Sequence, residues 1–219
     1  MCKQEGNATF DCTHDFQELT LPDYAQFILR CILFGIAHSL FAAQRTKETF
    51  SRVTGQEPRP YRLVYNLASL VMFGWVMAAY RTSPVLYAVP GIWRWVLYAA
   101  QLAVASVIFR CVCQTGSGDF LGISQLRSAI AAPRRLVTSG WYARVRHPLY
   151  LYSTLFLVLN PVMTAQWFLL TVFSVTYFIV GGMIEEARLL KEFGDEYRSY
   201  RQRVPFMVPS LKGVRQPWA

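Results

Sequence analysis

Four long apolar segments run through the chain, separated by stretches that hold most of its charge. They cover roughly residues 24–44, 63–80, 92–113 and 149–184. The last holds 36 residues without Asp, Glu, Lys or Arg, whereas one membrane crossing needs about 20 apolar residues. Pro161 divides this block, because proline lacks a backbone donor and keeps the preceding residue out of α geometry. The pattern predicts an all-α integral membrane protein with about five transmembrane helices and a carboxyl-terminal helical hairpin.

The first arm of this hairpin is short. Residues 149–159 give about 16 Å of helix at 1.5 Å per residue, roughly half of a hydrocarbon core. Either the turn lies inside the membrane against protein, or the helix continues through Pro161 with a kink. We favour a kinked helix that turns near Met163, Thr164 and Ala165.

Composition supports a membrane chain and excludes several other classes. Hydrophobic residues make up 53% of the sequence and charged residues only 16%. This balance excludes a disordered chain, a disulfide-stapled secreted module and a soluble nucleotide-binding α/β domain. The five cysteines form no C-x-x-C pair, so no metal site is predicted. The net charge of +9 is explained by cytosolic loops facing membrane lipids, and we expect no nucleic-acid partner.

Basic residues set the expected orientation. The 45–62 loop has five Lys or Arg, the 110–147 loop six and the tail from residue 188 seven. Cytosolic loops of membrane proteins carry such an excess, so we expect a cytosolic carboxyl terminus. Residues 1–23 hold five acidic residues and one lysine, and we expect them to form a polar extracytosolic segment. Residues 24–219 then form one membrane domain.

A basic cluster lies at the cytosolic end of the predicted hairpin. Arg144, Arg146 and His147 come directly before Pro148, a residue type favoured at the first position of a helix. Free backbone N–H groups, guanidinium groups and an imidazole at one point favour an anion site. The alternative is that the arginines are ordinary anchors of a cytosolic loop.

Two glutamates follow the second arm. Because a hairpin returns to its starting side, Glu185 and Glu186 are expected beside the basic cluster. A pocket with both charges would suit a ligand that carries a carboxylate and a positive charge. The alternative is a solvated helix end, paired with Arg188 and Lys191 at helical spacing.

Three strings around this pocket carry a family resemblance. They are Leu136-Val137-Thr138-Ser139-Gly140-x-Tyr142-x-x-x-Arg146-His147-Pro148-x-Tyr150, then Glu185-Glu186, then Phe193-Gly194-x-x-Tyr197-x-x-Tyr200-x-x-x-Val204-Pro205. This spacing resembles the isoprenylcysteine carboxyl methyltransferase superfamily of membrane-embedded enzymes that use S-adenosyl-L-methionine. Residues 38–44, 119–125 and 161–165 are similar to its methanethiol S-methyltransferase and NnrU-type branch, which implies a bacterial inner-membrane protein.

The resemblance implies cofactor motifs in residues 119–150 and 185–209. It assigns S-adenosyl-L-methionine the contacts Gln125, Leu136, Val137, Tyr142, His147, Pro148, Leu149, Tyr150 and Glu185. Arg146 and Arg203, with Arg144, are candidates for lowering the pKa of a thiol substrate, and His147 for accepting its proton. A sulfonium methyl donor is already activated, so no metal is required.

The expected methyl acceptor is a small or apolar thiol. Gly181 stands where the prenylcysteine enzymes have an arginine for the substrate carboxylate, and an uncompensated carboxylate is costly at membrane depth. Carboxyl methylation of an isoprenylated cysteine and methylation of a lipid amine are alternatives. More distant ones are an NADPH-dependent membrane reductase and a non-catalytic NnrU-like accessory protein. On the first helix, His38 is either a hydrogen-bonded packing residue or part of a substrate portal.

Overall fold

The computed structural model describes residues 20–54, 61–81, 83–116, 118 and 135–209. This part of the chain is mostly helical, which confirms the predicted all-α membrane class. A 3₁₀ turn over Gly140–Ala143 precedes the carboxyl-terminal hairpin. In chain order the other elements are α1 Leu21–Ala42, α2 Gln44–Thr54, α3 Tyr61–Met77, β1 Val85–Ala88, α4 Gly91–Gln114, α5 Pro148–Val158, β2 Val162–Thr164 and α6 Ala165–Arg203.

Among the described helices, α1, α4 and α6 are long and apolar enough to cross a membrane. Helix α3 has 17 residues and α5 only 11, which is short for a full crossing. Helix α6 has 39 residues, more than one crossing needs, and its charged residues begin at Glu185. The five-span topology and its orientation stay predictions.

The hairpin turn differs from the predicted kinked helix, and that prediction is wrong. Helix α5 ends at Val158 and does not continue through Pro161. Instead β2 pairs antiparallel with β1, Tyr87 opposite Met163. The buried Pro161 accepts a hydrogen bond from Val89 N through its carbonyl oxygen at 2.8 Å. Because proline cannot continue the helical hydrogen bonds, the backbone needs other partners in an apolar environment, and β1 supplies them.

Two side chains from neighbouring helices complete the end of α5. Gln101 Nε2 of α4 donates to Phe156 O at 2.9 Å, and Trp167 Nε1 of α6 donates to Leu157 O at 2.9 Å. The last four carbonyl groups of a helix have no donor within the helix, and each unsatisfied group in lipid costs several kcal/mol. Helices α4 and α6 therefore support the short arm.

Among the described residues, the core consists of two separate clusters. One joins α1, α3 and α6 through Phe27, Val76 and Leu170. The other lies at the far end of α6, where Tyr197, Tyr200 and Val204 pack with Leu136 of the loop before α5, among others. This second cluster fixes that loop against the end of the chain, and so positions the site described below.

Helix α6 changes direction at Gly194. This residue has φ 55° and ψ −123°, a conformation that glycine adopts much more easily than other residues. The helical segment after it carries the buried Tyr197 and Tyr200 back to the loop. The bend thus lets one long element contribute to the site twice, with Glu185 before it and Tyr200 after it.

Candidate active site

The site lies where the loop before α5 meets two parts of α6 and the segment that follows it. Arg146 N donates to Pro205 O at 2.9 Å, and His147 N donates to Phe206 O at 3.1 Å. The Tyr200 hydroxyl donates to Tyr142 O at 2.6 Å. The loop is therefore held by backbone contacts as well as by packing.

Glu186 is a buried carboxylate with three basic side chains around it. Its Oε1 lies 2.6 Å from Arg146 Nε and 3.4 Å from His147 Nε2, and its Oε2 lies 3.4 Å from Arg201 Nε. Arg146 Nη1 also donates to the carbonyl oxygens of Arg201 and Val204. We call the Arg146–Glu186 pair the buried clamp, because it holds the middle of α6 on the loop.

His147 lies at the centre of the site, between aromatic rings. Its ring is parallel to that of Tyr150, with centroids 5.3 Å apart, and the Phe206 ring meets it edge-on at 4.7 Å. Burial lowers the pKa of His147 below its usual 6.5, against the opposing influence of Glu185 and Glu186. The imidazole is therefore neutral at pH 7.

The Nε2 atom of His147 is buried and has no hydrogen-bond partner among the described residues, although Glu186 Oε1 lies 3.4 Å away. Buried polar atoms are nearly always hydrogen-bonded, and an exception calls for an explanation such as a water or a ligand. The site thus contains a buried ring nitrogen, His147 Nε2, whose hydrogen-bonding capacity is unsatisfied among the described residues.

Glu185 presents a partly exposed carboxylate beside the buried clamp. Its Oε2 accepts a hydrogen bond from the Tyr150 hydroxyl at 3.0 Å, and its Oε1 lies 3.7 Å from Arg188 Nη2. The Glu185 side chain keeps 34% of its surface exposed, against 8% for Glu186. The two neighbouring glutamates therefore differ, since only Glu185 has surface left for a ligand.

Close packing over His147 depends on Gly182. A Cβ atom at this position would lie 2.7 Å from Phe206 Cζ and 3.6 Å from His147 Nε2. Only a residue without a side chain lets Phe206 cover the imidazole so closely. Sequence reasoning missed both residues, although Gly182 lies three positions before Glu185 and Phe206 directly follows the Val204-Pro205 string.

A protein-family profile described as NnrU protein matches residues 26–188. The chain belongs to the NnrU family. Methanethiol S-methyltransferase 1 of Bradyrhizobium diazoefficiens is 30% identical over 202 residues, which cover 85% of this chain and 67% of that protein. Methanethiol S-methyltransferase 2 of the same organism is 31% identical over 198 residues, which cover 86% of this chain and 74% of that protein.

More distant relatives of this NnrU family member include a carboxyl methyltransferase. The protein-S-isoprenylcysteine O-methyltransferase of Xenopus laevis is 29% identical over 163 residues, which cover 71% of this chain and 54% of that protein. No solved structure matches the chain. These relatives confirm the predicted resemblance to membrane methyltransferases.

Apart from Gln125, the other residues predicted to contact a cofactor lie on the loop before α5 and in its first turn. Leu136 packs on the cluster of Tyr197, Tyr200 and Val204, and burial raises the pKa of the Tyr142 phenol. The remaining members are Val137 and Leu149, which are half-buried, Pro148, which is buried, and Gln125, which lies outside the described residues.

The three arginines predicted to act on a thiol do not meet at one point. Arg146 belongs to the buried clamp. The Arg144 guanidinium lies 4.9 Å from the Trp141 ring centroid, and Arg203 Nε donates to Ser199 O at 3.1 Å. Within the described chain, Arg144 and Arg203 thus contact side chains and backbone away from His147. Arg201, which the motif strings did not include, approaches Glu186 instead.

Proposed function

We propose that this protein is an integral-membrane methyltransferase that uses S-adenosyl-L-methionine and methylates a small or apolar thiol. The observation that carries the proposal is the cluster of Glu185, Arg188 and His147, called the pocket below. There a partly exposed carboxylate lies 3.7 Å from a guanidinium nitrogen and 3.8 Å from Nδ1 of a neutral imidazole. The names of the methanethiol-methylating relatives support the reaction and the class of acceptor.

The residues present fit the cofactor. Glu185 offers a carboxylate for an ammonium group, and Arg188, 3.7 Å away, offers a guanidinium for a carboxylate. The Tyr150 ring is stacked against both His147 and Phe178, which fixes its hydroxyl at the Glu185 carboxylate. When bound, the cofactor supplies an already activated methyl group.

The protein's own part in the reaction is to bind, orient and take a proton. Neutral His147 is able to accept the proton of a thiol, and the ring nitrogen that faces the partly exposed Glu185 carboxylate is Nδ1, at 3.8 Å. Arg146 acts as a positioning residue, because its guanidinium is held by Glu186 and by two backbone carbonyl oxygens. The rings of Tyr150 and Phe206 exclude water from His147.

The first test measures binding of S-adenosyl-L-methionine to purified protein in detergent by calorimetry. We expect Glu185→Gln to weaken the affinity about tenfold or more, since a charge-assisted hydrogen bond contributes roughly 1.5–3 kcal/mol. Glu196→Gln is the matched control, because Glu196 is an exposed glutamate of the same helix and lies outside the pocket. Equal affinities of both variants and wild type would contradict the assignment of Glu185.

A second test identifies the acceptor. Wild-type protein and labelled S-adenosyl-L-methionine are offered hexanethiol and N-acetyl farnesylcysteine in parallel, and we expect a base-stable thioether from hexanethiol. A base-labile methyl ester formed only from the farnesylcysteine would favour the second candidate, carboxyl methylation, to which the Xenopus relative points. Binding of NADPH without S-adenosyl-L-methionine would instead indicate a reductase.

A further inference from the structure

A groove of about 400 Å³ opens between α1 and the apolar part of α6. It lies toward the Glu185 end of α6, since Tyr177 and Glu185 are eight residues, or about 12 Å of helix, apart. Its walls include Ile32, Ile36 and Leu40 of α1, whose exposed fractions of 45%, 53% and 60% show that it opens on the outer apolar surface. In a membrane this surface faces lipid.

The depth of the groove depends on Gly35. A Cβ atom at this position would lie 3.1 Å from Phe173 Cζ and 3.4 Å from two atoms of the Tyr177 ring. Both of these aromatic residues line the groove. A larger residue at position 35 would therefore push the two aromatic rings aside or fill the floor.

The groove is apolar except at one edge. There the hydroxyl oxygens of Ser39 and Tyr177 lie 3.0 Å apart. The neighbouring His38 is occupied elsewhere, because its Nε2 lies 2.7 Å from the Tyr65 hydroxyl oxygen and its Nδ1 lies 3.0 Å from Ser69 Oγ. The lining residues in the described chain carry no charged group. The groove thus suits a molecule with an apolar body and one weakly polar, uncharged end.

The polar edge leads to the candidate active site along one face of α6. Tyr177, Gly181 and Glu185 are spaced four residues apart and so follow one another on that face. A Cβ atom at Gly181 would lie 4.0 Å from the Tyr150 hydroxyl oxygen, and this hydroxyl donates to Glu185. On this face of α6, Gly181 is the residue between Tyr177 and Glu185, and the Tyr150 hydroxyl lies over it.

We propose that the methyl acceptor enters from the membrane through this groove and that the groove walls set its size. The proposal rests on the proposed function and names its acceptor more closely. The occupant is an alkanethiol, whose chain lies along Ile36 and Phe173 while its thiol end passes the Ser39–Tyr177 hydroxyl pair toward Glu185. A carboxylate-bearing acceptor would find no cation among the lining residues.

The test compares two tryptophan variants of α1. Ile36→Trp fills the groove, whereas Leu29→Trp adds the same indole seven residues earlier on the same helix face, at a side chain that is 55% exposed and does not line the groove. KM and kcat are measured with methanethiol, butanethiol and octanethiol, together with the affinity for S-adenosyl-L-methionine. We expect Ile36→Trp to raise KM for octanethiol tenfold or more, with cofactor affinity within twofold of wild type, and Leu29→Trp to leave both unchanged.

A third variant, Ile36→Ala, keeps the test possible if Ile36→Trp does not fold. Ile36→Ala enlarges the groove and should lower the ratio of KM for octanethiol to KM for methanethiol by about threefold or more. Unchanged KM ratios in both Ile36 variants, with cofactor still bound, would overturn the groove assignment, and so would equal effects of Ile36→Trp and Leu29→Trp. Failure of the proposed function looks different, because wild-type protein would then methylate no thiol of any length.

Discussion

The buried clamp gives a sharp prediction, because Glu186 and Glu185 are neighbours with different surroundings. Glu186→Gln keeps the side-chain volume but leaves the guanidinium of Arg146, which is 10% exposed and 2.6 Å from Glu186, without its buried counter-charge. We therefore expect this substitution to act mainly on folding stability, whereas Glu185→Gln acts mainly on cofactor binding.

The magnitude follows from the contacts that survive. Removing one partner of a buried ion pair costs roughly 3–5 kcal/mol. Arg146 keeps the carbonyl oxygens of Arg201 and Val204 as acceptors, and glutamine still offers an oxygen, so we expect a loss of about 2–3 kcal/mol. At about 2–4 °C per kcal/mol for a chain of this length, Tm should fall by about 4–12 °C.

Glu185→Gln should change stability much less. Its ion pair with Arg188 is long, at 3.7 Å, and Arg188 is 50% exposed, so the pair contributes roughly 0–1 kcal/mol. Glutamine also retains an acceptor for the Tyr150 hydroxyl. Tm should therefore fall by less than about 4 °C.

Thermal unfolding of the purified variants in one detergent, followed by circular dichroism, provides the assay. The double variant Arg146→Met with Glu186→Gln adds a thermodynamic cycle, and its loss should be smaller than the sum of the single losses because neither charge is left unpaired. Equal Tm shifts for Glu185→Gln and Glu186→Gln, or additive losses in the cycle, would refute the distinction between the two glutamates.

Two further predictions concern the cover over His147 and its titration. Gly182→Ala places a Cβ 2.7 Å from Phe206 Cζ, whereas Gly181→Ala places one 4.0 Å from the nearest atom. Gly182→Ala should therefore lower the free energy of unfolding by about 1–3 kcal/mol and speed limited proteolysis after residue 203. Equal stability and equal proteolysis of the two variants would count against the packing of Phe206 on Gly182. Since burial lowers the pKa of His147 below 6.5, the unfolded chain binds more protons than the folded one below about pH 6.5. Stability should thus decline as pH falls through that range, and the decline measured as Tm between about pH 7.5 and 5.5 should be shallower in His147→Gln.

Helix positions were predictable because a helix that lies in lipid needs a continuous apolar stretch, which is visible in the sequence of that segment alone. The predicted segments 24–44, 63–80 and 92–113 end within three residues of α1, α3 and α4. The meeting of His147 with the acidic pair was also predictable, since a hairpin must return to its starting side. Neither inference needed information about contacts between distant segments.

Other features depend on contacts that no local pattern records. Strand β1 forms because Pro161 and its neighbours need backbone partners, and nothing in residues 85–88 alone shows that β2 will lie beside them. Glu186 also has Arg201 beside it, from the part of α6 that follows the bend at Gly194. The strings that carried the resemblance could not separate Glu185 from Glu186, since the difference is one of exposure.

The short helix α5 has a consequence for how the chain enters the membrane. With 11 residues, it is well below the length that holds a helix in a bilayer by itself. Its last carbonyl groups acquire donors only when Gln101 and Trp167 are beside them. Insertion of α5 as a separate step would leave those groups exposed to lipid. We therefore expect the biosynthetic machinery to release α5 and α6 as one unit, after α4 is already in the bilayer to receive them.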